Sequence, residues 1–160
     1  MMKGLIGIVI LCAISQLAFA ELCPEPSALR MNGMQWEAKG TGSAGNYKQG
    51  DANSLFVSPI TMGEKIKQTP KTDIKISYLG AFWWGFESPM VCMYDLEETH
   101  SDWAIPITMV SESKIYDIDQ HTMGKGWNCH GDVQPASCSC FSYGKTKDCE
   151  YTALAKKTYR

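Results

Sequence analysis

Asp117, Asp119 and His121 fall at every second position of "IYDIDQH", so an extended backbone would turn all three to one face. Two carboxylates and an imidazole at that spacing could hold a hard metal ion or share acid–base work. The same pattern also describes the solvated face of an ordinary strand, and we adopt that simpler reading. A second cluster lies in "CHGDVQPASCSCFSYGKTKDC", which begins at Cys129 and carries four cysteines and His130. These are zinc ligands on paper, yet zinc sites favour paired Cys-x-x-Cys knuckles, and that spacing is missing. Redox catalysis asks for the same spacing, and Cys138-Ser139-Cys140 is a weak substitute.

Other motifs are weaker. "GTGSAG", from Gly40 to Gly45, fits the G-x-G-x-x-G pattern, but a dinucleotide-binding turn must open a helix. Here "NYKQGD" follows, which is rich in turn residues, so the stretch from Gly40 to Asn53 reads as a loop that rims a site at most. Ser-x-x-Lys occurs twice, at Ser111 to Lys114 and at Ser142 to Lys145, without the further motifs of penicillin-recognising enzymes. There is no H-E-x-x-H and no G-x-S-x-G, and His100, His121 and His130 are the only imidazoles available for a triad. Glycosidase chemistry needs a pair of carboxylates, and nothing singles out a pair among 17 acidic residues. We therefore expect no catalytic residues, no metal and no cofactor.

Any such residues would have to be positioned outside the cytoplasm. Lys3, the apolar run "GLIGIVILCAI" and the exit Ala18-Phe19-Ala20 describe a secretory signal peptide over residues 1–20, with Glu21 as the first mature residue. No later stretch approaches the ~18 apolar residues that a membrane span needs, so the expected product is soluble, periplasmic or secreted, and not transmembrane. Residues 21–160 fit one domain. Losing Lys3 leaves a mature net charge of about −3, which gives no reason to expect nucleic acid.

Cys12 leaves with the signal, and Cys23, Cys92, Cys129, Cys138, Cys140 and Cys149 remain. An even number of cysteines in an exported chain reads as three disulfides. Cys138 and Cys140 point the same way on an extended segment and cannot easily bond each other, but many pairings stay open.

The elements read as strands. From Ile74 the apolar positions alternate through Ile76, Tyr78, Gly80, Phe82, Trp84 and Phe86, against Asp73, Lys75 and Ser77. This puts Phe82, Trp84 and Phe86 in the core and Trp83 on the opposite, exposed face, unless a bulge at Gly80 exchanges the faces. Met90, Cys92, Tyr94 and Leu96 resume the pattern after Pro89. "EETHSD" then turns into a strand carrying Trp103, Ile105, Ile107 and Met109, with Pro106 suggesting a sheet edge. Met34, Trp36 and Ala38 share another face, and Ser54 to Ile60 and Lys114 to Ile118 are further short strands. No window repeats at helical spacing. The expected fold is all-β: one antiparallel, sandwich-like domain stapled by disulfides, with few or no helices.

Cys23-Pro24 at the mature start, Trp36, and the "VCMYDL" strand with Cys92 and Tyr94 together resemble a family of small secreted bacterial proteins known as domain of unknown function 3757. The resemblance spans Leu22 to Met109. It implies an exported bacterial β-domain in which Cys23 bonds Cys92, and it carries no established activity. With that bond in place, Cys129 pairs with Cys138 and Cys140 with Cys149, or Cys129 pairs with Cys140 and Cys138 with Cys149. The segment around residues 125–150 then becomes a stapled, loop-rich cap.

The function these readings favour is non-catalytic: an extracytoplasmic binding module of a bacterial envelope or secretome with a protein partner. A carbohydrate or peptidoglycan ligand is the first alternative, stacking on Trp83, Tyr47 and Trp127, the rings that the face assignment leaves freest. A small hydrolase or metal-dependent enzyme built on Asp117, Asp119 and His121 is the second.

Overall fold

The computed structural model describes residues 20–33, 35–50, 74–98, 104–131 and 137–154. Met34 of the expected strand that carries Trp36 and Ala38, the expected strand at Ser54 to Ile60, and Trp103 lie outside these residues. The described residues form ten strands, β1 (Arg30–Asn32), β2 (Gln35–Ala38), β3 (Tyr47–Gln49), β4 (Ile74–Trp83), β5 (Ser88–Glu98), β6 (Ala104–Ile115), β7 (Asp117–Ile118), β8 (Trp127–His130), β9 (Ser137–Phe141) and β10 (Ala153–Leu154). Eight of them make one antiparallel sheet in the order β1-β2-β3-β6-β5-β4-β9-β8, and β10 pairs β7 beside it. The helical content of the described residues is three single 3-10 turns, at Pro26–Ala28, Gly42–Ala44 and Thr146–Cys149, and no helix among them is long and apolar enough to cross a membrane.

The sheet curls on itself. Laid flat, β3 and β8 would be separated by five strand spacings, roughly 24 Å. Yet Tyr151 reaches both: its hydroxyl is 3.3 Å from that of Tyr47 on β3, and its ring is 6.3 Å from that of Trp127 on β8. One sheet thus supplies both walls of a sandwich-like core. Tyr78, Ala81 and Trp83 of β4, Met90, Cys92, Tyr94 and Leu96 of β5, and Ile107 and Met109 of β6 fill it.

Two irregularities aim the central strands. Tyr78 pairs with Tyr94 and Gly80 with Met93, so Leu79 is an extra residue, a bulge that reverses the alternation of everything after it. Gly80 permits this because a Cβ there would lie 2.2 Å from the Cys140 carbonyl oxygen. The second lies between Pro89 and Val91 against β6. There the Ser111 hydroxyl accepts the Met90 N–H at 2.9 Å and donates to the Ser113 carbonyl at 2.8 Å, so a side chain replaces a ladder bond.

The bulge corrects the face assignment. Trp83 is buried at 1% exposure, whereas Trp84 is 57% exposed, Phe86 is exposed and Phe82 is half-buried. Truncating Trp83 to Ala would therefore hollow the core, at a cost of about 3–5 kcal/mol, and would not trim a surface ring. Pro106 is corrected as well: β6 is an interior strand, paired with β5 and with β3, and Pro106 sits beyond the stretch that β3 covers.

Three disulfides close, Cys23–Cys92, Cys129–Cys138 and Cys140–Cys149. The first spans 69 residues and the other two 9 each, so loop-closure entropy assigns it about 4 kcal/mol against roughly 2.5 for each of the others. Cys23–Cys92 fixes the N-terminal segment to β5, and the Tyr94 hydroxyl donates to the Pro24 carbonyl at 2.6 Å beside it. The Thr146 hydroxyl reaches the Glu25 carboxylate from the opposite end of the chain. Within the expected stapled, loop-rich segment, Trp127–His130 and Ser137–Phe141 are strands that join the sheet. β9 pairs with β4, and β8 with β9, because Cys138 and Cys140 alternate inward as strand residues do.

Candidate functional site

The bulge at Leu79 places aromatic rings on the outward face of the sheet. Phe82 of β4 and Trp84, the residue just past the end of that strand, have ring centroids 6.1 Å apart and planes inclined by 13°, a parallel arrangement. Phe141 of β9 stands beside them, 56% exposed, its ring edge-on to Phe82 at 5.3 Å. It lies opposite Gly80, which offers no side chain of its own. Across the sheet, Val91 is opposite Phe82, Val110 is opposite Val91, and Met93 is opposite Gly80. The centre of this face is apolar over four neighbouring strands.

Its rim is charged and balanced. Lys48, opposite Val110, forms an ion pair with Glu112 at 2.6 Å, and Asn46 donates to the same carboxylate at 3.1 Å. The pairing holds the Lys48 ammonium above its ordinary range and the Glu112 carboxyl below its own. At the far end, Lys75 pairs with Glu97 at 3.0 Å. Burial, and then the nearby Glu97, push the Asp95 carboxyl up. Farther along, beyond Gly85, Phe86 packs against Tyr116 with ring centroids 4.3 Å apart.

The three rings expected to form a platform do not come together. Trp83 is in the core, and Tyr47 is fully buried with its hydroxyl against Tyr151, which corrects its expected exposure. β3 turns Tyr47 inward because Lys48 takes the outward position beside Val110. Trp127 is half-buried, and its Nε1 donates to the Glu150 carbonyl at 2.9 Å. The exposed rings missed by alternation alone include Trp84, Phe86 and Phe141. Phe141 is legible as the next outward position after Cys138 and Cys140.

The acid–imidazole trio is dispersed by local hydrogen bonds. Asp117 Oδ1 accepts the Ile118 N–H at 2.8 Å, and Asp119 Oδ1 accepts the His121 N–H at 3.0 Å. The strand ends at Ile118 and a turn begins at Asp119, so His121 leaves the face that alternation gave it. Among the described residues no group of three or more His, Cys, Asp or Glu is arranged to hold a metal ion.

"GTGSAG" has a structural task. The carboxylate of buried Glu21 accepts the Ser43 N–H at 3.0 Å, the Ser43 hydroxyl at 2.5 Å, the Ala44 N–H at 3.1 Å and the Tyr151 hydroxyl at 3.2 Å. A Cβ on Gly42, whose φ is +66°, would meet the Glu21 carboxyl carbon at 2.6 Å. Successive backbone N–H groups in such a turn make a nest for an anion, and here the anion belongs to the chain itself. Comparison of the chain with protein-family models, with curated proteins and with solved structures finds no match.

Proposed function

We propose that the protein is a non-catalytic, extracytoplasmic binding module of a bacterial envelope or secretome that docks a protein on the outward face of its sheet. The observation that carries this reading is the exposed cluster of Phe82, Trp84 and Phe141, continued by Val91, Met93 and Val110 and bounded by the Lys48–Glu112 and Lys75–Glu97 pairs. An apolar, aromatic-rich centre inside a charged rim is the anatomy of protein interfaces, and tryptophan is among the residues that most often dominate their energetics. Phe82 on β4, Val91 and Met93 on β5, Val110 on β6 and Phe141 on β9 put most of the cluster on hydrogen-bonded strands, and a pre-formed surface keeps the entropic cost of docking low. Three closed disulfides and the signal-like N-terminus support an oxidising compartment. The resemblance to secreted bacterial proteins of domain of unknown function 3757 points the same way.

Affinity capture from a bacterial envelope tests the reading, with the mature protein and its Trp84→Ala and Phe141→Ala variants run in parallel. The expected outcome is one protein held by the wild type and lost by both variants, while the thermal midpoint of each variant stays close to the wild type. Equal capture by all three would remove this face from the function. The near-parallel Phe82 and Trp84 rings favour glycan stacking as a second reading. In that case tryptophan fluorescence should shift on titration with peptidoglycan fragments, and Trp84→Ala should abolish the shift.

A further inference from the structure

The three disulfides differ in how a reductant can reach them. Thiol–disulfide exchange begins with a thiolate approaching one of the two sulfurs, so access decides which bond opens first. Cys23, Cys92, Cys140 and Cys149 are all buried, at 1% exposure or less. The Cys140 sulfur is packed so closely that a Cβ on Gly126 would lie 2.5 Å from it, and the Asp148 carbonyl stands 3.6 Å away. Cys129 is placed differently. It is half-buried on β8, a strand that ends the sheet and has no strand on its outer side among the described residues. Asn128 and His130 on either side of it are exposed. Met123 Sδ lies 3.8 Å from the Cys129 sulfur, on a flexible side chain that can move aside.

The ladder around this bond does not depend on it. Cys129 and Cys138 are register partners, and Trp127 with Cys140, Asn128 with Ser139 and His130 with Ser137 continue the pairing on both sides. Trp127 Nε1 holds β8 separately through the Glu150 carbonyl, and Cys140–Cys149 anchors β9. The Cα atoms of Cys129 and Cys138 are 4.0 Å apart, closer than the roughly 4.5 Å of ordinary opposed pairs, so the strands have room to relax when the sulfurs part. Both thiols then stay opposite each other, where they can close again.

We propose that Cys129–Cys138 is a reversible thiol–disulfide exchange site, opened by a dithiol reductant that attacks Cys129. The reductant's thiolate bonds the Cys129 sulfur and breaks the bond to Cys138, which leaves as a thiolate and takes up the proton that the attacking thiol released. The reductant's second thiolate then attacks its own sulfur in the mixed disulfide and releases Cys129, which is protonated in turn. Two electrons and two protons pass to the protein, and the reductant leaves as a disulfide.

Native-state labelling of the mature protein tests the assignment. Dithiothreitol acts for graded times, iodoacetamide blocks the thiols that appear, and peptide mass spectrometry identifies them. Cys129 and Cys138 should be labelled together, about tenfold or more faster than any of the other four cysteines, because access limits the exchange. The far-ultraviolet circular dichroism of the strands should stay unchanged while they are labelled. Glutathione, a monothiol, should be trapped by acid quench as an adduct on Cys129. Opening of all three bonds at one rate, labelling that coincides with loss of the strand signal, or an adduct on Cys138 in place of Cys129 overturns the proposal.

Discussion

At the scale of single residues, two neighbouring tyrosines have opposite hydrogen-bond standing. Tyr78 and Tyr94 are register partners on β4 and β5, packed edge to face at 5.5 Å and both buried. The Tyr94 hydroxyl donates to Pro24, but the Tyr78 hydroxyl has no hydrogen-bond partner among the described residues. A buried polar group without a partner costs about 1–3 kcal/mol, whereas a satisfied bond contributes about 1 kcal/mol. Removing the two hydroxyls should therefore shift stability in opposite directions. Tyr78→Phe is expected to leave stability unchanged or raise it by about 1 kcal/mol. Tyr94→Phe is expected to lower it by about 1 kcal/mol or more, because the Pro24 carbonyl is left without its donor. Urea midpoints at unchanged m-value read the difference, and a loss of stability in both variants would show that the Tyr78 hydroxyl is satisfied in solution.

At the scale of elements, β4 decides which aromatic rings face outward, through its bulge. Gly80→Ala is expected to destabilise by about 2–4 kcal/mol, because the new methyl meets the Cys140 backbone oxygen and no flexible side chain can give way. Thermal unfolding checks the magnitude, and a midpoint within a degree or two of the wild type would mean that β9 can shift. The same bulge marks the limit of what alternation reveals. Period-two patterning was enough for β2, for β5 from Met90 to Leu96, and for Ile107 and Met109 of β6, stretches whose own strand carries no inserted residue. It failed at Trp83 and Trp84 because one inserted residue reverses every later side chain. A glycine can raise that option from sequence, but the neighbour that requires it, Cys140, lies 60 positions away. β9 escaped for a different reason: serine and cysteine carry little strand signal by type, so only the spacing of Cys138 and Cys140 spoke for it. Tyr47 was misplaced because its partner Tyr151 comes from the opposite end of the chain. No local pattern in β3 reveals that contact.

At the scale of the whole molecule, buried phenols join the parts of the curled sheet. Tyr47 lies on β3, Tyr78 on β4, Tyr94 on β5, and Tyr151 on the C-terminal segment that bridges to Glu21. Burial pushes the Tyr47 hydroxyl from its ordinary 10.0 up to about 12, and burial likewise raises Tyr78, Tyr94 and Tyr151. A phenol whose pKa is higher folded than unfolded retains its proton in the native state after the unfolded chain has released it. Stability from these groups is therefore complete below about pH 10 and falls as pH rises beyond it, since the unfolded state then binds fewer protons. For Tyr47 the loss extends to about pH 12. The expected outcome is a thermal midpoint that drops steeply from about pH 10 upward. Tyr47→Phe should make the drop shallower, although it also removes the 3.3 Å contact with Tyr151 and so starts from a lower midpoint. Because the four rings tie strands from both walls to one core, their ionisation should unfold the molecule in a single cooperative step. Far-ultraviolet circular dichroism and tyrosinate absorbance should then change together with pH. Tyrosinate appearing before the loss of strand signal would mean that the core opens locally around Tyr47 and Tyr151 while the rest of the sheet holds.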